Sequence, residues 1–208
     1  DIVPIANHLT EAGVVAVKAD SPYKTIEELV AAAKEKGNLK ASTNGNKASN
    51  HTAAQLLAKS AGFKYKAIPY GGTADQLLAL RQGEVDFTCA KVADVAKLVK
   101  GDKPELRVLA VFNTKRDPEL PNVPTLGEKG LYPEWYGSAR ALVAPKGTKP
   151  EVIQYYVEAF KKTMQDPAVI EAHKKAGMAL DFKDNKELGD LIKAQDKFAR
   201  DVVNDLYK

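Results

Sequence analysis

Strand-like segments alternate with helix-like segments through the first half of the chain, and this alternation constrains the fold more than any other feature. Short apolar runs rich in valine and leucine are separated by segments with helical spacing and capping signals. Helices placed between strands predict crossover connections, an α/β fold and a largely parallel sheet. The predicted strands lie over 13–19, 39–42, 66–70, 85–88 and 106–112.

Local signals predict where the helices begin and end. Thr25 and Glu28 have the spacing of a capping box, and Gly37 is placed to end the helix that they open. Thr73 and Gln76 repeat the capping-box spacing at a later helix. The predicted helices of this half lie over 25–36, 49–60, 73–82 and 92–100.

The second half of the chain predicts fewer strands. A polar, proline-rich loop over 113–124 leads to a short helical turn at 125–129 and then to a strand over 139–144. The remainder is predicted to be mainly helical, over 149–165, 167–176 and 186–207.

Composition argues against several classes of function. No apolar run approaches the roughly 20 residues of a membrane-spanning helix. The net charge of +4 is small and lysine is interleaved with glutamate, so nucleic-acid binding is not expected. Cys89 is the single cysteine, which leaves no intrachain disulfide and no multi-cysteine metal site. The histidines are scattered at His8, His51 and His173, and no metal site is expected.

A candidate anion site lies in the stretch 39–54, LKASTNGNKASNHTAA, where a strand breaks into small polar residues and then opens a helix. Such a junction gathers backbone N–H groups, hydroxyls and the positive end of a helix dipole, which together bind a carboxylate or phosphate. The N–H groups of Asn50 and His51 are expected to point out of the helix end. A solvated turn with Ser49 as a plain helix cap is the alternative. The candidate ligand-binding residues here are Thr43, Asn44, Gly45, Ser49, Asn50 and His51.

A second junction of similar design lies at 66–80, KAIPYGGTADQLLAL. Its two glycines permit close backbone approach to a ligand. It has neither the GxGxxG fingerprint nor a Walker lysine, so no nucleotide cofactor is expected and a smaller anion fits better. Two such junctions, one strand–helix unit apart, predict a binding crevice. The candidate residues here are Tyr70, Gly71, Gly72, Thr73 and Ala74.

Two other classes of function remain open from the residues alone. An α/β enzyme could use the same helix N-termini to bind a phosphate or acyl anion, with Cys89 as nucleophile and His51 as base. A buried, structural Cys89 is the simpler reading of that residue, and a hydrogen-bonding role is the simpler reading of His51. A ligand-sensing lobe that serves a receptor is the other alternative.

Five stretches of the chain occur in the same order as in one known family: SPYKTIEELVAAAKEKG, STNGNKASNH, IPYGGTADQLLALRQGEVDF, LRVLAVFNTKRDPELPNVPTLGEKG and ALVAPKGTKPEVI. Nearly the whole chain thereby resembles the TctC/Bug family of periplasmic solute-binding proteins, which serve tripartite tricarboxylate transporters. The resemblance implies a type II periplasmic-binding-protein fold with two α/β lobes and a hinge, closing over a small carboxylate. It also implies no catalysed reaction, no cofactor, a periplasmic location and membrane transporter subunits as partners.

The resemblance assigns ligand contact to the loops that match 43–51 and 70–74, which face the cleft from the second lobe in that family. By it, Thr43, Asn44, Ser49, His51, Gly72, Thr73 and Ala74 contact the ligand. The segment 85–95 lacks the prolines expected there, so Thr88 and Cys89 are expected to line the pocket differently.

The resemblance also predicts the domain boundaries. Lobe two is expected over 13–136, and 1–12 with 137–208 form the remainder of lobe one and the C-terminal helices. The family's N-terminal segment, with its glycine-rich ligand loop, has no match here, and no signal peptide precedes Asp1. Lobe one is therefore expected to be incomplete, and a missing segment or a second chain would supply the rest. The ligand stays open among dicarboxylates, tricarboxylates, amino acids and aromatic acids.

Overall fold

A computed structural model describes residues 2–178 and 180–207 of the chain. It divides into two compact units. The central unit is Ala12–Ser138, and the terminal unit combines Asp1–Glu11 with Ala139–Lys208. The first strand, β1 (Ile2–Lys18), contributes its beginning to the terminal unit and its end to the central unit.

The central unit follows the predicted alternation closely. Its three longer helices each end at a glycine in the left-handed conformation. After β1 the elements are α1 (Ile26–Lys36), β2 (Lys40–Thr43), α2 (Ser49–Ala61), β3 (Lys66–Pro69), α3 (Thr73–Gln82), β4 (Phe87–Lys91), α4 (Val92–Val95) and β5 (Leu106–Phe112).

The sheet of the central unit is largely parallel, as predicted, and one strand of it, β1, runs in the opposite direction. The strand order is β3-β2-β4-β1-β5. Strand β2 is parallel to β3 and β4, whereas β1 is antiparallel to both β4 and β5. Since β1 is antiparallel to both of its neighbours, β4 and β5 are parallel to each other. The four strands other than β1 therefore run in one direction. The alternation of helices and strands predicts crossover connections. It carries no information on the order of the strands in the sheet, and so it cannot indicate that β1 lies between β4 and β5.

Apolar side chains from both faces of β1 explain why it occupies the middle of this sheet. Val14, Val15, Ala16 and Val17 are all fully buried. One face packs in a cluster with Leu80 and other residues of α3, α4 and β5. A strand buried on both faces contributes more apolar area than an edge strand could, which favours the central position.

The predicted capping box is confirmed at α1 and is wrong at α3. Thr25 and Glu28 form the complete capping box of α1, and Gly37 ends that helix at φ 65°. At α3, by contrast, the N-cap is Gly72, without a side-chain cap bond, and Thr73 is the first helical residue. Helix α4 is also shorter than predicted, ending at Val95.

The terminal unit packs helices on the first part of β1 and its partner strands. Its small core includes Ile5, Ala6, Ala144, Ile153 and Val157. Strands β6 and β7 both pair with β1, and β7 was not predicted. No helix among the described residues is long and apolar enough to cross a bilayer. The elements are β6 (Gly137–Pro145), α5 (Pro150–Met164), α6 (Pro167–Lys175), β7 (Leu180–Lys183), α7 (Asn185–Phe198), a π-helical turn (Ala199–Val203) and α8 (Asn204–Leu206).

Candidate ligand-binding site

Three strands of the central unit end at the same edge of the sheet. Thr43 is paired with Pro69 in the parallel β2–β3 ladder, and the N–H of Tyr70 extends the ladder by donating to the Thr43 carbonyl at 2.9 Å. Strand β4 is parallel to β2, so its last residue, Lys91, lies at this edge too. In open α/β sheets the crevice outside the carboxyl ends of the strands is where ligands bind. The two predicted junctions are therefore neighbours in space.

The first junction, between β2 and α2, is held by bonds within its own loop. The Thr43 hydroxyl donates to the Gly45 carbonyl at 3.2 Å, and Gly45 itself has φ 129°. Asn44 Oδ1 accepts from the N–H of Asn50 at 3.3 Å, which caps α2 from outside the helix. The Asn50 N–H is thus bonded within the protein and is not directed to a ligand, contrary to the prediction for that group.

Ser49 does not act as the cap of α2. The N-cap is Ala48, which has no side-chain cap bond, and Ser49 is the first helical residue. The Ser49 hydroxyl instead lies 3.4 Å from the Lys91 ammonium, and the Ser49 carbonyl accepts from the Tyr136 hydroxyl at 3.2 Å. The alternative reading of Ser49 as a plain cap is wrong.

His51 supports the loop as a neutral imidazole. Its side chain is 7% exposed, and its Nδ1 accepts from the N–H of Lys47 at 2.9 Å. Accepting at Nδ1 places the ring proton on Nε2. Burial lowers the pKa of His51 below its ordinary value, which favours this neutral form. Lys47 itself has a positive φ of 57°, an uncommon conformation for a residue with a side chain.

The second junction, between β3 and α3, presents a helix N-terminus without a side-chain cap. Gly72 is the N-cap, and the N–H of Gln76 donates to its carbonyl at 3.1 Å. The N–H groups of the first turn, at Thr73 and Ala74, have no intrahelical acceptor by the geometry of an α-helix. A Cβ added to Gly72 would meet no atom of the described residues within 4 Å. The backbone here is open to close approach.

A buried polar network joins the two junctions. Asn50 Nδ2 donates to Gln76 Oε1 at 2.9 Å, and Gln76 Nε2 donates to the Thr88 hydroxyl and to the Cys89 carbonyl. The Ser42 hydroxyl donates to Thr88 Oγ1 at 3.0 Å. Gln76 therefore ties α2, α3 and β4 together, which its predicted capping-box role would have prevented. The partners of its amide lie 12 and 13 residues further along the chain, on β4, and 26 residues earlier, on α2.

Cys89 is fully buried, and its side chain has no exposed surface through which to contact a ligand or substrate. Burial raises the pKa of its thiol to about 12, so the nucleophilic thiolate is not available near neutral pH. Its position on β4, opposite Val15 of β1, is that of a small core residue. The enzyme alternative based on Cys89 and His51 loses its nucleophile. Within residues 2–178 and 180–207, no group of three or more metal-ligating side chains is placed to hold a metal ion.

Lys91 is the residue of this region that sequence reasoning missed. It ends β4 at 4% exposed, and its ammonium donates to Asn50 Oδ1 at 2.6 Å. A lysine in the run CAKVAD carries no local sign of burial, because the neighbouring lysines of the chain are exposed. The one local signal for Lys91 was its position after a strand-like run, where residues of a binding edge are expected.

The fold is that of the type II periplasmic binding proteins. A TctC solute-binding protein from Polaromonas superposes with a TM-score of 0.83 at 28% identity, covering 99% of this chain and 70% of that one. The model of the TctC family, described as "Tripartite tricarboxylate transporter family receptor", matches residues 1–206. The chain belongs to this family.

Curated relatives agree with the family match. A UPF0065 protein encoded in the gbd 5' region of Cupriavidus necator is 38% identical over 73% of this chain and 45% of its own length. Another, from the tcbD–tcbE intergenic region of Pseudomonas sp. strain P51, is 31% identical over 94% of this chain and 58% of its own length. The chain spans about half the length of these relatives.

Proposed function

We propose that this protein is a periplasmic solute-binding protein that captures a small carboxylate for a tripartite tricarboxylate transporter. Membership of the TctC family, a family of solute-binding receptors and not of enzymes, supports the class. The delivery to a membrane transporter and the periplasmic location are proposed on the same ground.

One observation carries the proposal: the helix N-termini of α2 and α3 lie side by side at one sheet edge. Neither N-cap residue bonds to its helix through a side chain, and at α2 Asn44 takes only the N–H of Asn50. Each helix N-terminus carries a partial positive charge of roughly half a unit and offers N–H donors. A carboxylate has two oxygens that accept several such bonds at once. We therefore assign ligand contact to Asn44, Gly45, Ser49, His51, Tyr70, Gly71, Gly72, Thr73 and Ala74. Thr43 is fully buried and supports the loop by donating to the Gly45 carbonyl.

Asn50 and Cys89 take different roles within this proposal. Asn50 holds the site from behind through Gln76 and Lys91. Cys89 contributes only its carbonyl, which accepts from Gln76 at 2.6 Å. Neither side chain is proposed to contact the ligand.

Gly72→Val tests the proposal by separating binding from folding. Gly72 has φ 168°, an extended backbone that valine adopts readily, and the added side chain meets no described atom within 4 Å. We expect the free energy of unfolding of the variant to lie within about 0.5 kcal/mol of the wild-type value, because no packing is disturbed. Its side chain would fill the space in front of the α3 N-terminus, so carboxylate-induced thermal stabilisation should be lost.

The measurement is the shift of the unfolding temperature across a panel of di- and tricarboxylates, amino acids and aromatic acids, followed by calorimetry on each acid that stabilises. Lys66→Val, at an exposed position of β3, is the matched control and should retain the shift. An unchanged shift in Gly72→Val would contradict the site. Absence of a shift with every acid in the wild type would contradict the function.

A further inference from the structure

A pocket in the central unit lies at the opposite edge of the sheet from the candidate site. It is built around the amino end of β5, whereas the candidate site lies at the carboxyl ends of β2, β3 and β4, and these four strands run in one direction. The pocket has a volume of about 270 Å³, which is close to the lower limit of about 300 Å³ for small-molecule sites. Apart from Arg107 its walls are apolar, and they include Val99, Leu106, Val108, Leu120 and Val123.

Arg107 is the one charged residue among the described residues that line this pocket. It is partly buried, and its Nη1 is buried without a hydrogen-bond partner in residues 2–178 and 180–207. The same part of the chain supplies no ion pair to its guanidinium. A guanidinium is always charged, and a buried donor without a partner destabilises the fold because it has lost its hydration. An anion bound beside Arg107 would supply the missing partner.

The carboxylates that adjoin the pocket walls in the chain are already paired with other cations. Each of the three lies directly before or after a wall residue. The pairs are Asp20 with Lys18, Glu105 with Arg81, and Glu119 with Lys100. The charge of Arg107 is therefore left for an anion from solution to neutralise.

An apolar cavity with one positive charge favours a particular kind of ligand. The apolar walls stabilise a hydrocarbon chain by removing it from water, and a guanidinium binds a carboxylate through two parallel N–H···O bonds. A second charge on the ligand would be buried against apolar walls without a partner, which is costly.

We propose that this pocket is a second ligand site, which binds small monocarboxylates with an apolar body, such as medium-chain fatty acids. The carboxylate pairs with Arg107, and the hydrocarbon chain lies against the valine and leucine side chains of the walls. The inference is independent of the proposed function, because the pocket shares no residue with the candidate site.

Octanoate and its uncharged amide, octanamide, test the inference, because the two compounds share a hydrocarbon chain and differ in charge. Calorimetric titration of the wild type should give a dissociation constant at least about tenfold lower for octanoate. In Arg107→Met, which keeps a long side chain without its charge, octanoate should bind about tenfold or more weakly, and octanamide should bind as in the wild type. The comparison of the two compounds in the wild type needs no variant, so it tests the inference even if Arg107→Met does not fold.

Arg200→Met and Gly72→Val are the control variants. Arg200 is an exposed arginine of the terminal unit, paired with Asp196, and its loss should leave the dissociation constant of octanoate unchanged. Gly72→Val fills the space in front of the α3 N-terminus and should also leave octanoate binding unchanged. Arg107→Met should in turn keep the thermal shift given by acids that bind at the candidate site.

The inference is overturned if octanoate does not bind the wild type, if octanamide binds as tightly as octanoate, if Arg107→Met keeps the wild-type dissociation constant, or if Gly72→Val abolishes octanoate binding. The last result would assign octanoate to the candidate site and would support the proposed function. The other three results leave the proposed function intact, because that function is tested by the wider panel of acids with Gly72→Val.

Discussion

The chemistry of Cys89 is decided by its place in the sheet. The same side chain at a helix N-terminus, beside a cation, would be a reactive thiolate. On β4 it is fully buried opposite Val15, and burial raises the pKa of the thiol to about 12 even though the charge of Lys91 acts in the other direction. Desolvation outweighs the nearby cation here, and the residue behaves as a small hydrophobe.

Cys89 should therefore resist alkylation in the folded protein. Iodoacetamide at pH 8 is expected to leave the thiol unmodified over a time that fully modifies a denatured sample, because the reactive species is the thiolate. Intact mass spectrometry measures the added mass. Rapid labelling of the native protein, at a rate close to that of the denatured control, would contradict the buried assignment.

At the scale of elements, the side chain of Gln76 ties α3 to its neighbours. Gln76, in its first turn, reaches β4 through Thr88 and the Cys89 carbonyl and reaches α2 through Asn50. Removing a buried amide that bonds three partners takes a hydrogen bond from each of them, although Thr88 keeps its bonds to Ser42. This network is what keeps the two helix N-termini adjacent.

Gln76→Leu should lower the free energy of unfolding by about 2–4 kcal/mol, since a nearly isosteric side chain removes the bonds and leaves buried donors and acceptors without partners. Gln82→Leu is the matched control, on the same helix at an exposed position, and should change stability by less than about 0.5 kcal/mol. Urea denaturation measures both. Equal effects of the two substitutions would contradict the network.

At the scale of the whole molecule, each unit contains one histidine whose protonation opposes folding. In the central unit, burial lowers the pKa of His51. In the terminal unit, the pKa of His8 is lowered by burial first, then by His173, whose Nε2 lies 3.4 Å from His8 Nδ1, and by Arg140. Both pKa values in the folded state therefore lie below the value of 6.5 expected in the unfolded chain.

Both units should lose stability as the pH falls below about 6.5. In that range the unfolded chain binds more protons than the folded one, so the free energy of unfolding decreases with decreasing pH. The full contribution of the two histidines to stability is present only above about pH 6.5. Thermal unfolding at pH 7.5, 6.5 and 5.5 measures the change. His51→Asn, whose amide oxygen can replace Nδ1 as the acceptor from Lys47, should reduce the loss in the central unit alone. A pH profile unchanged by this substitution would contradict the assignment.

Strand β1 shows where prediction from the sequence stopped. Its first half contains Asn7 and Glu11, polar residues that argue against a buried strand. In the structure Asn7 donates to the Asp181 carbonyl at 2.8 Å, and Glu11 pairs with Arg140 at 2.6 Å. Partners 129 to 174 residues away in the chain make these side chains compatible with burial. No local pattern could have indicated them.

The sequence by itself determined the helix and strand order of the central unit, the α1 capping box, the two junctions and the family. These depend on contacts within a few residues or on composition along the chain, and both can be read locally. Only the tertiary structure decided the antiparallel direction of β1, the role of Gln76 and the burial of Lys91. The physical reason is the same for all three: their partners lie far away in the chain, as with Lys91 and Asn50, 41 residues apart, and folding alone brings them within bonding distance.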